Sequence, residues 1–505
     1  MIKRDKIALI LGPLLLVLLG AALRLYGIGR DSLWYDELYT IWSSHLPLAS
    51  LVREEAASRH MPDYYLLLHF WLYLSTGRIW IVLISFFSGC GSILLVFLIA
   101  RRLFNKKVAF WALAMAAFSP IMIWYSQDVT YYSWVIFTTL LSFYFLIRAH
   151  NYGGWQNWFL YFLATTLAIF SYTFSTVLVV ANFVFIWLIK DRKRSQLSFY
   201  LTHALLLAEL GFVLALNFIF SPAAGLFRRA SISMFKDKLT SGIFSIRLTM
   251  LGGPIGSFGG HKELMIDLAV IAILMIVAAG GWRFWTGEPA KALTVYTAIL
   301  ILGPILLYSL LADTTDPNRF YVWAVPFFLI LGSAFIVQAL KPASLFLVLA
   351  IIWFAIFALP VLERHDFSNT NWDAAVQVVS ENYRKGDAIL GFPINGFSVA
   401  AYYYQSDLPI QGGIIIDDKT VRLYPAGRQW SGYGSSQTES VLSGAQLASG
   451  INLLAGKTKR MWVLSGDGKM FPKPLSINRN IPIYWEKINH WHVGGFFLDL
   501  YQRNR

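Results

Sequence analysis

Two adjacent carboxylates, Asp36 and Glu37, follow directly on the first long apolar stretch of the chain, about Lys6 to Tyr26. A carboxylate pair where a membrane-type segment meets water can take a proton from a hydroxyl, hold a cation, or simply stay hydrated. The run Asp31-Ser-Leu-Trp-Tyr-Asp36-Glu37 also reads as a loop start in which Asp31 or Ser32 caps a short helix. These residues alone leave both readings open. Downstream lies Arg59-His60-Met61-Pro62-Asp63-Tyr-Tyr-Leu-Leu-Leu-His69, then Trp124-Tyr125-Ser-Gln127-Asp128, then Asp313-Thr-Thr-Asp316-Pro-Asn-Arg319-Phe-Tyr321. Asp128 is a further acid, and Arg319 could grip a phosphate with its planar fork or pair with Asp313 or Asp316.

Such groups need elements to hold them, and the composition says which kind. Of 505 residues, 57% are hydrophobic, 16% aromatic and only 14% charged. A soluble domain carries about 25% charged residues, so a soluble globular protein is excluded. Apolar runs near the length of a bilayer span fall at about 7–26, 79–100, 108–126, 131–147, 157–173, 175–190, 197–220, 264–281, 292–311, 320–340 and 343–362. The first is too long for a signal peptide and reads as a retained anchor. Basic clusters at Lys3-Arg4-Asp-Lys6, Arg101-Arg102, Lys106-Lys107, Arg148, Lys190 to Arg194, Arg283, Lys291 and Lys341 then share one side. The positive-inside rule makes that side cytoplasmic. Eleven spans place loops 27–78, 126–130, 221–263 and 312–319, with everything beyond 363, on the outer side. The net charge of +14 is thus a matter of topology rather than nucleic-acid binding.

The chain after 363 has another character. Asn371-Trp-Asp-Ala-Ala-Val-Gln-Val-Val has helical apolar spacing, and Lys385-Gly386 closes it. Strands are expected from Asp387, at Gly413–Ile416, Arg460–Ser465, Ile481–Ile488 and Gly495–Tyr501. The fold class is therefore mainly α, a polytopic membrane protein of about 11 helices with a C-terminal extracytoplasmic α/β domain. The domains are 1–362, with large outer loops 27–78 and 221–263, and 363–505.

Other features carry less. Pro62 followed by a Tyr/Leu/His/Trp stretch suggests a helix lying flat in the interface. There His69 reads as an interfacial aromatic and Glu54-Glu55 as solvated acids. Basic residues Arg228, Arg229, Lys236, Lys238, Arg247 and Lys262 in an outer loop run against the positive-inside bias and suggest an anionic partner. Glu209, in the middle of a span, is either functional or half of a structural pair. Gly466-Asp-Gly-Lys469 lacks P-loop spacing and reads as a turn. The single cysteine, Cys90, supports neither an intramolecular disulfide nor a cysteine-rich metal site.

Taken together, Trp34-Tyr-Asp36-Glu37, His60-Met-Pro-Asp-Tyr-Tyr-Leu-Leu-Leu-His69, Tyr125-Ser-Gln-Asp128 and Asn318-Arg319-Phe-Tyr-Val-Trp-Ala-Val-Pro326 resemble the polyprenyl-phosphate-sugar-dependent GT-C glycosyltransferases. These include protein O-mannosyltransferases and lipid A aminoarabinose transferases. The resemblance covers about residues 5–340, with order and membrane side matching. Trp372-x-x-Ala-Ala through Gly386-Asp387-x-Ile389 looks like the outer domain many bacterial members carry. Two departures stand out. Relatives often have an acid just before His-Pro-Pro or Lys-Pro-Pro, whereas this chain has Arg59-His60-Met61-Pro62. The usual Gln-Glu-Ala-Arg has become Gln127-Asp128-Val129-Thr130, so an arginine is missing.

The resemblance implies transfer of a sugar from a polyprenyl-phosphate donor to a lipid, glycan or protein acceptor at the outer face of the inner (cell) membrane, with inversion. It implies Asp36, Glu37 and Asp128 as catalytic carboxylates, with Asp36 the base. Arg59, His60, Tyr125, Gln127 and Arg319 would bind substrate or phosphate. No cofactor is required by the pattern; a divalent cation on Asp36 or Asp128 is an open element. The rival is a transporter or lipid flippase, which would gather its polar groups at the midplane and show repeated halves. Apart from Glu209, Asn182 and Asn217 little midplane polarity is evident, and no repeat appears.

Overall fold

The fold was read from a computed structural model. It describes the chain apart from residues 1, 31–32, 34, 58–59, 190–195, 221–286, 312–320, 341, 364–370, 393–396, 398–407, 409, 418–419, 425–439, 444–449, 453–454, 467–480 and 505. The chain forms two compact units, Met1–Gly29 with Pro47–His365, and Arg30–Leu46 with Asp366–Arg505.

The first unit is helical. Its elements are α1 (Ile2–Leu25), α3 (Leu48–Ala57), α4 (Asp63–Leu72), α5 (Arg78–Leu103), α6 (Lys106–Phe118), α7 (Pro120–Ser126) and α8 (Tyr132–Tyr152). They continue with α9 (Trp155–Ser171), α10 (Val177–Leu188), α11 (Gln196–Phe220), α12 (Glu288–Leu311), α13 (Val325–Ala339) and α14 (Ala343–Glu363). Each expected apolar run outside the undescribed segments is helical; the run 264–281 lies among the undescribed residues. Among the described residues three helices are long and apolar enough to cross a membrane, Arg78–Leu103, Tyr132–Tyr152 and Val322–Ala339. The bent pair Lys106–Phe118 and Pro120–Ser126 would make a fourth. Shorter apolar helices cover Leu11–Leu25, Phe174–Leu188, Leu197–Val213 and Ala343–Leu359. Large apolar side chains such as Leu14, Leu18, Phe87, Leu349 and Ile356 face outward, as helices solvated by lipid require.

One expected span is corrected. The run 108–126 is not a single helix but α6 and α7, bent by 58° at Ser119. Pro120 is the cause, because it has no N–H for the helical ladder and its ring clashes with the preceding turn. Pro62 acts likewise, separating α3 from α4.

The second unit contains α2 (Tyr35–His45), α15 (Trp372–Asn382) and a seven-stranded sheet of order β4-β3-β2-β1-β5-β7-β6. The strands are β1 (Ala388–Phe392), β2 (Ile410–Asp417), β3 (Thr420–Tyr424), β4 (Ser440–Ser443), β5 (Arg460–Gly466), β6 (Trp485–Val493) and β7 (Phe496–Arg503). Central β1 pairs in parallel with β2 and β5, Ile389 opposite Ile410 and Trp462, and both its faces are buried. The remaining pairs are antiparallel, β7 with β5 and β6. Asn371 caps α15 by accepting from the Ala374 N–H at 2.9 Å, and its own N–H donates to the Gly494 carbonyl at 2.7 Å. Gly494, at φ +56°, turns the β6–β7 hairpin where a Cβ would collide with Asn371. Trp372 then packs between Phe397 and Phe496, with centroids 4.9 and 4.4 Å away. Strands β3 and β4 were not anticipated.

Candidate active site

Asp36 and Glu37 open α2 in the second unit. Carboxylates in a first turn face the unpaired N–H groups and the positive end of the helix dipole. Leu33 and Leu38 are buried on either side of the helix start, in the positions of a hydrophobic staple. Thr40 Oγ1 donates to the Asp36 carbonyl at 2.7 Å, tying the second turn to the first. Glu37 is buried and Asp36 half-buried. The expected caps, Asp31 and Ser32, lie outside the described residues, as do Arg59, Arg319, Asp313 and Asp316.

In the first unit the sequence-expected residues His60, Tyr125, Gln127 and Asp128 belong to one connected structure. It begins with Arg24, whose side chain is wholly buried near the end of α1. Its Nη1 donates to the Gly20 and Ala117 carbonyls at 2.9 and 3.2 Å, its Nη2 to Ala116 O at 3.1 Å, and its Nε to Ser126 Oγ at 3.1 Å. Ala116 and Ala117 end α6 where Pro120 withholds the next donor, so Arg24 satisfies carbonyls that the break orphans. Gln127 returns the service. Its Nε2 donates to the carbonyls of Leu23, Arg24 and Tyr26 at 3.3, 3.0 and 2.8 Å, capping α1. Gly89 of α5 makes room, since a Cβ there would overlap the Ser126 hydroxyl.

This interlock leads straight into Asp128, which is buried and accepts from Thr130 Oγ1 at 3.1 Å. From Tyr125 a chain of rings runs outward. Tyr125 meets Tyr132 (4.7 Å between centroids), Tyr132 meets Tyr131 (4.5 Å), and Tyr131 meets Tyr172 (5.8 Å). Tyr172 in turn touches Trp323 (6.1 Å). Tyr131 also lies 5.9 Å from His60 and 6.4 Å from Tyr65, and the His60 and Tyr65 rings are stacked nearly parallel, 7° apart in tilt. His60 Nδ1 is 3.2 Å from both Glu55 Oε2 and the Tyr65 hydroxyl. With Nδ1 protonated the ring donates to Glu55; with Nδ1 bare it accepts from the Tyr65 hydroxyl.

Glu55 corrects the sequence reading: it is fully buried against His60 rather than solvated. An acid does stand beside His60, supplied from the preceding helix rather than from the adjacent position. His69 is buried in α4, with the Tyr73 hydroxyl 3.4 Å from its Nε2. Asp63, quoted within the motif but given no role, is the other residue that sequence reasoning missed. Its Oδ2 accepts from Trp134 Nε1 at 2.8 Å and Ser171 Oγ at 2.7 Å, joining α4 to α8 and α9. Burial raises its pKa to about 6, against the lowering effect of those two donors and of the Tyr64 backbone N–H. Among the described residues no three His, Cys, Asp or Glu side chains converge on a point that could hold a metal ion. No step below is routed through a cation.

The arrangement offers buried carboxylates beside an aromatic wall and a histidine, at the ends of apolar helices. The family pattern of dolichyl-phosphate-mannose-protein mannosyltransferases matches residues 59–219, the stretch that holds His60, Tyr65, Tyr125 and Asp128. No curated protein matches the chain. Among solved structures the chain is similar to ArnT from Cupriavidus metallidurans bound to undecaprenyl phosphate. The identity is 10%, 96% of this chain and 97% of that chain are covered, and the TM-score is 0.59. It is also similar to the oligosaccharyltransferase of Archaeoglobus fulgidus tethered with an acceptor peptide (12% identity, 100% and 75% covered, TM-score 0.54). The same organism's AglB in complex with an inhibitory peptide and a dolichol-phosphate gives 13%, 99% and 75%, and 0.51. At these identities the likeness establishes the fold. The chain thus shares the fold of these structures, and over residues 59–219 it carries the pattern of the dolichyl-phosphate-mannose-protein mannosyltransferases.

Proposed function

We propose that the chain transfers one sugar from a polyprenyl-phosphate carrier to a lipid, glycan or protein acceptor at the outer face of the cell membrane, with inversion. Eleven spans, an inner N-terminus and an outer domain from 363 complete this reading. The observation that carries it is the family pattern lying over His60, the tyrosine rings beside it and Asp128.

In this mechanism Asp36 takes the proton of the acceptor hydroxyl as its oxygen attacks the sugar anomeric carbon. The bond from that carbon to phosphate breaks, and polyprenyl phosphate leaves with the electron pair. A single displacement inverts the anomeric centre. Glu37 orients the start of α2. Arg319, with His60 or Arg59, balances the charge that grows on the leaving phosphate. Asp128 supplies a second carboxylate for substrate, and Tyr125 part of the aromatic wall. Gln127, whose amide nitrogen is committed to the α1 carbonyls, acts by holding Asp128 in place. A transporter would instead gather its polar groups at the midplane.

The test is purified protein in lipid, supplied with a panel of polyprenyl-phosphate sugars and envelope extract. Appearance of a new glycosidic bond of opposite anomeric configuration is the expected result. Movement of the intact lipid-linked sugar across the bilayer without any new bond would refute the reading.

A further inference from the structure

Asp63 is the first residue of α4, directly after Pro62. A first-turn Asp ordinarily points at solvent and the free N–H groups of its own helix. This one is turned into the protein instead, and both of its side-chain donors, Trp134 Nε1 and Ser171 Oγ, fall on Oδ2. Oδ1 is closed off from solvent and has no hydrogen-bond partner. A desolvated carboxylate oxygen without a donor is costly, and native structures rarely keep one without a reason. Burial raises this group's pKa to about 6, against the hydrogen bonds from Trp134, Ser171 and the Tyr64 backbone that lower it.

Its surroundings say what the missing donor is. Two residues on, Tyr65 stacks on His60 and lies against Tyr131. Next to Ser171 stands Tyr172, whose ring joins Tyr131 to Trp323. Aromatic faces take the C–H surface of a sugar ring, and a carboxylate oxygen takes one of its hydroxyls. We propose that Asp63 determines sugar specificity, its Oδ1 accepting a hydrogen bond from one ring hydroxyl of the carbohydrate substrate. This rests on the transfer reaction proposed above.

The experiment uses the full chain in lipid and a polyprenyl-phosphate hexose alongside its monodeoxy analogues. In the parent, one analogue should lose about 10- to 100-fold in kcat/KM, the scale of a lost hydrogen bond to a charged group. Asp63→Asn keeps an oxygen for Trp134 and Ser171 but places an NH2 where Oδ1 stood. It should lose a similar factor on the full hexose and nothing further on that one analogue, a non-additivity that loss of packing would not produce. Asp63→Glu, which keeps the charge but moves the oxygen by one methylene, should behave the same way and serves if the Asn variant fails to fold. An active parent whose variants lose equal factors on every donor, or lose nothing, overturns the proposal and leaves the transfer reading intact. A parent inactive on every donor removes both.

Discussion

Replacing Arg24 by Met tests the interlock that holds the candidate site. Met fills much of the same volume without charge or donors. The substitution deletes four hydrogen bonds, of 2.9 to 3.2 Å, and leaves the Ala116 and Ala117 carbonyls at the Pro120 break without their donor. Each buried orphan carbonyl costs about 1–3 kcal/mol, or about 2–6 kcal/mol for the pair. Against this, Arg24 is a buried cation with no carboxylate partner among the described residues, and removing it returns part of its desolvation penalty. We expect a net loss of about 2–4 kcal/mol. Turnover should fall further than stability alone explains, because Ser126 leads directly to Gln127 and Asp128. Arg24→Lys, a single point charge, should recover part of the loss by reaching fewer carbonyls. Unfolding of the purified protein in detergent, followed together with lipid-linked sugar transfer, measures both. An Arg24→Met protein as stable and as active as the parent would refute the reasoning.

Three other outcomes follow. Asp63 titrates at about 6 in the folded protein, above its ordinary 3.8. The folded state therefore holds the extra proton between those values, and stability falls as pH rises from about 4 to about 6, by at most about 3 kcal/mol. Asp63→Asn lacks this loss and should gain on the parent between pH 4 and pH 7; an unchanged gap would contradict the burial argument. Arg319→Ala should be nearly inactive and Arg319→Lys partly active, with the loss in turnover. A stable, fully active Arg319→Ala protein would remove phosphate recognition at that position. In a Cys90-free background, a cysteine at position 440 should be labelled in intact cells; labelling only after permeabilisation would reverse the topology.

Much of the helical layout was legible because apolar runs of span length leave little choice of structure in lipid. The α6–α7 break was also written in the sequence, in Pro120, but hydropathy runs smoothly across it and hides the kink. What periodicity could not supply was contact between distant turns. Glu55 looks like one of a pair of solvated acids until the loop folds it onto His60. Tyr172 and Trp323 carried no signal in the sequence, and only the packing of α8, α9 and the segment before α13 places them in one chain of rings with Tyr131. Arg24 carried no signal of its own in the sequence, yet its side chain bonds the carbonyls at the α6–α7 break. Strands β3 and β4 escaped notice because their short runs mix polar and apolar residues without a strong pattern.

The central claim is a transfer reaction that needs the Asp36 carboxylate. Asp36→Asn preserves size and removes the base, so one comparison of initial rates, parent against variant, with a polyprenyl-phosphate sugar the parent accepts, tests it most directly. The account predicts a fall of roughly 100-fold or more with stability retained. A variant within a few-fold of the parent would contradict it and shift the base to Asp128.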